Sequence, residues 1–279
     1  MTLTSCNPHL ITLIRTLPRT NCFSTHPRGE ALGGVTENTL VLYPMKHPSR
    51  QRERRPELIN YLHHLGRYAR TLDLSVTEQA IAPTTVDDDD DDGHHHHRTI
   101  PLPPSSTPRY FEGTGVLVLD RVRGVAYVAL SERADADIAR AWGQALGYPE
   151  VITFVATNAG KPVYHTNVLL AVGTGCAVVC SESVADATER RDLLAALGRH
   201  HAVVDVTITQ MEKLCGNVLE VRNRNGLPVW AMSTQAYQAF TEQQRHVLLQ
   251  YAAGIHHVSI DTLEHLGGGG VRCTLAEIF

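Results

Sequence analysis

Apolar positions recur at the helical period of about 3.6 residues in four segments, and each segment ends just before a glycine. Glycine directly after a helix adopts the left-handed conformation that closes the last turn. The pattern predicts four helices, at residues 53–65, 134–146, 185–197 and 234–253, capped by Gly66, Gly147, Gly198 and Gly254.

The glycines that end these helices are separated by nearly constant intervals. The last two intervals are 51 and 56 residues, and the first is 81. The first interval contains a proline-rich, charge-biased stretch of 28 residues, 82–109, without which it falls to 53. A constant interval is typical of a repeat architecture, so 82–109 is predicted to be a disordered, low-complexity insertion.

Short apolar runs occupy equivalent places in each repeat and predict strands. One run follows each of the last three helices, at 151–157, 202–208 and 255–260. Two runs precede the next helix, at 115–119 with 124–130, 168–172 with 176–180, and 217–221 with 228–232. An earlier copy is visible at 39–43. The order strand, strand, helix, strand predicts an α/β (α+β) fold in one domain over 1–279, with an incomplete first unit.

Composition excludes several classes of function. The chain has 279 residues, of which 43% are hydrophobic and 19% charged, as in a soluble globular protein. Six of its acidic residues form one run, Asp87 to Asp92, and no basic stripe suits a nucleic acid. No apolar run reaches membrane-spanning length. We therefore predict neither a nucleic-acid nor a membrane partner.

The cysteine pattern and the composition of the first 29 residues indicate the cellular compartment. The six cysteines contain no CxxC pair, which favours reduced thiols and a cytoplasmic location. The first 29 residues lack Asp and Glu but contain three arginines, so a mitochondrial location is the alternative. The runs Asp87–Asp92 and His94–His97 leave metal binding open, but we predict no cofactor and no metal.

Four polar residues share the repeat spacing. Glu112, His165, Asn217 and Cys273 are separated by 53, 52 and 56 residues. Equivalent loops of a cyclic repeat converge on its axis, so an acid, a histidine and a thiol would meet there. Taken singly, Glu112 would be interpreted as a turn carboxylate and His165 as a hydrogen-bonded core or surface histidine. Cys273 also follows four consecutive glycines, Gly267 to Gly270, which permit close approach of a ligand.

The strings around these residues resemble the pentein, or amidinotransferase, superfamily, and most closely its citrulline-utilisation branch. The matching strings are Phe-Glu-Gly-Thr-Gly (111–115), Tyr-His-Thr-Asn (164–167), Cys-Gly-Asn (215–217), Ala-Met-Ser (231–233) and Gly-Gly-Gly-Gly-Val-Arg-Cys (267–273). The resemblance spans roughly 17–279 and implies a five-fold pseudosymmetric propeller of ββαβ-type units. The superfamily has a further strand and helix before Asn21, so we expect an incomplete first unit.

The resemblance assigns Cys273 as the nucleophile, and the chemistry agrees. A thiolate attacks the central carbon, His165 protonates the departing amine and then activates water, and Glu112 holds the terminal nitrogens. Arginine deiminases carry aspartates where this chain has Asn21 and Asn167, and amides suit a neutral ureido group. Asn167 as a residue that only fixes its loop is the alternative.

Asn217 and Arg272 complete the predicted substrate-binding residues, with Arg272 as a candidate for the substrate carboxylate. The leading prediction is a hydrolase of C–N bonds in a ureido or guanidino amino acid, similar to a citrulline ureidase. Arginine deiminase or amidinotransferase activity is the enzymatic alternative, and a non-catalytic degenerate relative or fragment is the alternative of another class. The predicted partner is the small-molecule substrate, and a homo-oligomer is left open.

Overall fold

The computed structural model describes residues 23–26, 39–65, 68, 70–75, 96–98, 102 and 105–277. Asn21 lies outside the described residues. Within them, no helix is long and apolar enough to cross a membrane.

Four sheets in the described residues share one topology. In each, two antiparallel strands are followed by helix and by a third strand that pairs parallel to the second, since a parallel connection needs a crossover. The strands are Phe23–His26, Thr39–Leu42 and Arg70–Asp73; Val118–Asp120, Val125–Ala129 and Glu150–Phe154; Leu170–Val172, Cys176–Val179 and Ala202–Asp205; Leu219–Arg222, Pro228–Ser233 and Ile255–Val258.

Helices connect the second and third strands of every unit. In unit order they are Pro48–Gln51 and Pro56–His64; Ala136–Leu146; Ala187–Gly198; Thr234–Ala239 and Glu242–Tyr251. The segments before the second, third and fourth units carry the short helix Gly113–Val116, the small hairpin Thr157–Asn158 with Lys161–Pro162, the 3₁₀ turn Thr166–Val168 and the short helix Ile208–Glu212. The 3₁₀ turn Ser181–Ser183 lies within the third unit, before its helix, and the short helices Asp261–Gly267 and Val271–Thr274 follow the fourth unit.

The α/β class is confirmed, and the described units repeat the predicted order. A closed five-fold propeller stays a prediction, because no closed barrel is formed by the described sheets. Two predicted helices differ from the structure. The first, predicted at 53–65, begins only at Pro56, because Arg55 precedes a proline and is extended, and a separate short helix, Pro48–Gln51, lies before the predicted range. The last, predicted at 234–253, is divided in two at Phe240, after which Thr241 and Gln244 start a new helix with a capping box.

The predicted glycine caps are correct in one case and wrong in two. Gly147 is left-handed, with φ 73°, and caps its helix. Gly198 instead lies inside its helix, which ends at Arg199 in a right-handed conformation. The last helix ends at Ala252, which is extended, before Gly254 is reached. Gly66 lies outside the described residues.

The stretch 82–109, predicted to be a disordered insertion, includes a few described residues, and these form contacts. His96–Arg98 forms a strand parallel to Arg70–Asp73. Arg109 forms ion pairs with Asp135 and Asp137 at the start of the second unit's helix. These residues are ordered by backbone hydrogen bonds and by surface ion pairs. Neither kind of contact requires an apolar pattern in the sequence, so the pattern gave no sign of them.

The second unit lies between two hydrophobic cores. Its central strand is buried on both faces: Val125, Tyr127 and Ala129 pack into one core, and Ala126 and Val128 into the other. The first core extends over the third and fourth units, and the second extends back to the first unit. The active-site candidates Glu112 and His165 border this central unit on either side in sequence.

Trp142 joins the second unit to the first, and we predict that its loss costs much stability. The side chain is fully buried, and its Nε1–H donates to the hydroxyl of Tyr43 at 3.1 Å. Trp142→Ala should lower the free energy of unfolding by about 3–5 kcal/mol in urea denaturation. Leu266→Ala, at a side chain that is 80% exposed, is the control and should change it by about 0.5 kcal/mol or less. Equal effects of the two substitutions would contradict the prediction.

Candidate active site

Glu112 is a buried carboxylate that accepts three hydrogen bonds. It caps the short helix Gly113–Val116 and is fully inaccessible to solvent. The backbone N–H of Lys46 donates to Oε1 at 3.1 Å. His165 Nε2 lies 2.8 Å and Arg133 Nη1 3.3 Å from Oε2. Burial alone would raise the pKa of Glu112, but the contact with His165, the charge of Arg133 and the Lys46 N–H together lower it to about 2.

His165 is the partner that Glu112 orients. Its side chain is 3% exposed, and burial lowers its pKa below the ordinary value, although Glu112 opposes that shift. Both directions describe a neutral imidazole that donates its Nε2–H to an ionised carboxylate. The next residue holds the loop, because the Thr166 hydroxyl donates to the carbonyl of Val116 at 2.6 Å and accepts from Ala129 N–H at 2.7 Å.

Cys273 lies on the short helix Val271–Thr274, and two amide side chains contact its sulfur. Asn217 Nδ2 donates to Sγ at 3.2 Å, and the thiol lies 3.7 Å from Asn167 Oδ1. Asn217 Oδ1 also accepts the backbone N–H of Cys273 at 3.3 Å. A Cβ at Gly269 would lie 3.0 Å from Sγ, so this member of the glycine run is required by close approach.

Asn167 connects the two groups of residues. Its Nδ2 donates to the carbonyl of Thr114 at 3.1 Å, two residues after Glu112. Its own carbonyl accepts from Asn217 Nδ2 at 2.7 Å. Among the hydrogen bonds and ion pairs of the described residues, none joins Cys273 directly to Glu112 or His165. Asn167 thus links the loops 112–114 and 165–167, which carry the acid–base pair, to the thiol of Cys273. Asn167 therefore both fixes its loop and touches the nucleophile candidate.

Arg272 is not brought to the acid–base pair. Its guanidinium donates to the carbonyl of Leu275 at 3.2 Å and pairs with Glu277 at 3.4 Å. The side chain lines a cavity that also contains Asn167 but none of Glu112, His165 and Cys273. The sequence places Arg272 beside the nucleophile, whereas the helical turn at Val271–Thr274 directs the two side chains to different surroundings.

Arg133 is a site residue that the spacing argument missed. Besides contacting Glu112, its guanidinium lies 4.8 Å from the ring centre of Tyr164, whose ring contacts that of His165 edge-on at 4.8 Å. Its Nε has no hydrogen-bond partner, and its side chain is 25% exposed. Arg133 follows Glu112 by 21 positions, which does not fit the repeat spacing. The sequence could have indicated it only through the expectation that a buried acid needs a cationic partner.

The other described thiols are unsuited to catalysis. Burial raises the pKa of Cys176 to about 12, of Cys180 to about 11, and of Cys215 to about 12. All four cysteines of the described residues are free, and Cys6 and Cys22 lie outside them. No group of three or more potential metal ligands occurs in the part of the chain that the structure describes.

A second cavity, of about 220 Å³, borders the thiol. It is lined by Thr262, Leu263, Leu266, Gly267, Gly269, Cys273 and Thr274. Apart from the thiol and two threonines, the lining side chains are apolar. Its walls come mainly from the helix Asp261–Gly267, which has no buried residue. This cavity can therefore receive an apolar group next to Cys273.

Comparison with solved structures shows a shared fold. The crystal structure of ArgZ, an arginine dihydrolase from the ornithine-ammonia cycle in Cyanobacteria, matches with TM-score 0.60 and 15% identity over 91% of this chain and 31% of ArgZ. The N-terminal domain of ArgZ bound to substrate matches with TM-score 0.57 and 15% identity over 87% and 72%. AgrE in complex with L-arginine matches with TM-score 0.60 and 14% identity over 94% and 30%.

The chain thus spans about a third of the length of full-length ArgZ. A search of curated proteins finds no match. The family model of eukaryotic N,N dimethylarginine dimethylhydrolase matches residues 19–279, a range that contains every candidate site residue. The chain therefore belongs to this dimethylarginine dimethylhydrolase family, within the pentein, or amidinotransferase, superfamily.

Proposed function

We propose that the chain hydrolyses a neutral ureido amino acid, with citrulline as the model substrate, through a covalent intermediate on Cys273. The observation that carries the proposal is the pair of neutral amides, Asn167 and Asn217, around the Cys273 sulfur. The nearby carboxylate, Glu112, already accepts from three donors. A guanidinium would enter with too little negative charge to offset its desolvation, whereas a ureido group needs only donors and acceptors.

The acid–base pair supplies the protons in this mechanism. Neutral His165 takes the thiol proton, and ionised Glu112 stabilises the resulting imidazolium. The thiolate attacks the ureido carbon, so that a C–S bond forms, and a C–N bond breaks as His165 returns the proton to the leaving amine. Water activated by His165 then cleaves the C–S bond. The carbamate released loses carbon dioxide, which gives ornithine, ammonia and carbon dioxide overall.

Arg133 is the better anchor for the substrate carboxylate than Arg272. It lies at the Glu112–His165 pair, it is partly exposed, and its Nε lacks a partner. Arg272 is engaged by Glu277 and the Leu275 carbonyl. A cation at Arg133 also disfavours a second cation beside Glu112, which again favours a neutral reacting group.

A methylated guanidine is the second candidate substrate. The apolar cavity beside Cys273 can take N-methyl groups, which carry no hydrogen-bonding capacity. The matched family is named for N,N dimethylarginine. Methylation leaves the positive charge of the guanidinium unchanged, but it adds apolar surface and removes N–H donors, so desolvation of the group costs less than for arginine.

Turnover of four compounds tests the proposal. We expect kcat/KM for citrulline to exceed that for arginine by about tenfold or more, because one missing charge-assisted contact is worth about 1.5–3 kcal/mol. Ammonia, methylamines and ornithine are measured with citrulline, arginine, dimethylarginine and unmodified urea as substrates. Cys273→Ala should lower kcat by about a thousandfold or more, with Cys215→Ala as the control thiol.

A preference for arginine would refute the ureido assignment. A preference for dimethylarginine would select the second candidate. Activity that survives in Cys273→Ala would refute the covalent mechanism, and a folded wild type without activity on any substrate would favour the non-catalytic alternative.

Charge at Asn167 should change substrate preference. Asn167→Asp places a carboxylate beside the reacting carbon, so the ratio of kcat/KM for arginine to that for citrulline should rise by about tenfold. The substitution also removes the donor to the Thr114 carbonyl. Asn167→Ala removes the same donor without adding charge and is the matched control. If both variants leave the ratio at the wild-type value, Asn167 serves only to fix its loop.

The pH profile of kcat/KM should report His165. Burial lowers its folded pKa, so the reactive neutral form persists below the ordinary value of 6.5, and activity should be lost only at lower pH. Glu112 raises the His165 pKa, so Glu112→Gln should move the acid limb to still lower pH while reducing kcat. Profiles are recorded from pH 4 to 8 on wild type and variant. An acid limb that moves upward would contradict the assigned pair.

A further inference from the structure

The helix Asp261–Gly267 borders the cavity of Cys273 but is not packed into the protein. It has no buried residue, and the side chains of Leu266 and Leu263 are 80% and 47% exposed. In the part of the chain that the structure describes, none of its side chains forms a hydrogen bond or an ion pair. Ile260, which precedes it, supplies no side-chain cap. Neither a buried apolar face nor polar contacts therefore fix this helix in one position.

Cavities lie on two sides of the helix. One is the cavity of about 220 Å³ that contains the Cys273 thiol, called here the apolar cavity, and the helix lines it with Thr262, Leu263, Leu266 and Gly267. The other, called here the acidic cavity, has about 450 Å³ and is lined by Glu212, Leu214, Gln235, Asp261, Glu264, His265 and Gly268. The helix therefore has room to move in either direction.

The two cavities differ in the cost of closing them. Movement toward the acidic cavity would bring the two carboxylates of the helix closer to Glu212, and like charges repel. Movement toward the apolar cavity buries Leu263 and Leu266, which is favourable because apolar surface is removed from water. Closure toward the thiol is therefore the direction that the side chains favour.

The four consecutive glycines after this helix divide into a fixed part and a hinge. Gly269 and Gly270 are buried, and a Cβ on either would come within 3.0 Å of a side chain of the site. Gly267 ends the helix, and Gly268 is exposed and left-handed, with φ 66°. Rotation at these last two residues moves the helix while Cys273 keeps its place.

We propose that the helix Asp261–Gly267 is a lid that closes over Cys273, with Leu263 and Leu266 as the face that covers the bound substrate. Closure removes bulk water while the C–S bond forms, and reopening admits the water that His165 activates. The alkyl chain of a bound amino acid offers apolar surface to the two leucines, so binding shifts the helix toward the closed position. The identity of that substrate rests on the proposed function, whereas the movement of the helix does not.

Alkylation of Cys273 tests the lid without any substrate. Leu266→Gln keeps the size of the side chain but makes closure costly, since a polar group would be buried. Iodoacetamide should then modify Cys273 about threefold faster or more than in wild type, because the open population rises. Leu227→Gln, at a side chain 49% exposed before the second strand of the fourth unit, is the matched control and should leave the rate unchanged. Rates are measured by mass spectrometry of the peptide that contains Cys273.

Amide hydrogen exchange follows the movement itself. In the free protein, the amides of 262–268 should exchange about tenfold faster or more than those of the helix Glu242–Tyr251, because the lid opens locally. In Cys273→Ala, which cannot form the covalent intermediate, saturating citrulline should slow exchange at 262–268 and leave Glu242–Tyr251 unchanged.

Faster alkylation in Leu266→Gln alone, together with rapid exchange at 262–268, supports the lid. Equal alkylation rates in wild type and Leu266→Gln overturn it, as do equal changes in the two Gln variants. Exchange at 262–268 as slow as in Glu242–Tyr251 also overturns it. Faster alkylation and rapid exchange without any effect of citrulline would support the lid and count against citrulline as the substrate.

Discussion

The side-chain amide of Asn217 is the interaction on which the site depends. Its oxygen accepts from the backbone of Cys273, and its nitrogen donates both to the Cys273 sulfur and to the carbonyl of Asn167. One planar group therefore fixes two loops that are 106 residues apart in sequence. An aspartate could not replace it, because two of the three contacts need a donor. The backbone beside it is adapted to this contact: Leu214 is left-handed, with φ 65°, and a Cβ at Gly216 would lie 2.3 Å from the Val168 carbonyl.

Charge is separated within the site. The buried anion, Glu112, is matched by His165, Arg133 and the Lys46 N–H, whereas the thiol is surrounded by amides. This arrangement keeps the imidazole of His165 neutral and oriented before the reaction. His165 can then accept a proton, and Glu112 stabilises the imidazolium that forms. The same low dielectric that would make an unpaired Glu112 costly makes each of these contacts stronger than it would be in water.

Sequence periodicity predicted the repeating order of strands and helices and the equivalent loops that carry the candidate site residues, but not how the chain ends its helices or places its charges. The common spacing of Glu112, His165, Asn217 and Cys273 reflects equivalent loops, which is why the structure gathers them through local contacts. Arg133 falls outside that spacing because it meets Glu112 across a strand connection. The predicted helix caps at Gly198 and Gly254 were wrong because tertiary packing overrides the local conformational preference of glycine at helix ends. The capping box of Thr241 and Gln244 could have been recognised in the sequence, and it would have predicted two helices in place of the last one.

The choice of substrate depends on which side chains of the site still have hydrogen-bonding capacity for a bound ligand. Glu112 has little acceptor capacity left, and a guanidinium would compete there with Arg133 for the same oxygen. The amides of Asn167 and Asn217 keep capacity for a neutral group without a counter-charge. The cavity beside Cys273 offers mainly apolar contact, which rewards methyl groups and not N–H donors. Under the proposed function, a ureido compound would meet these constraints because it is neutral, and a methylated guanidine because it is partly apolar, whereas unmodified arginine is charged and also lacks the apolar surface.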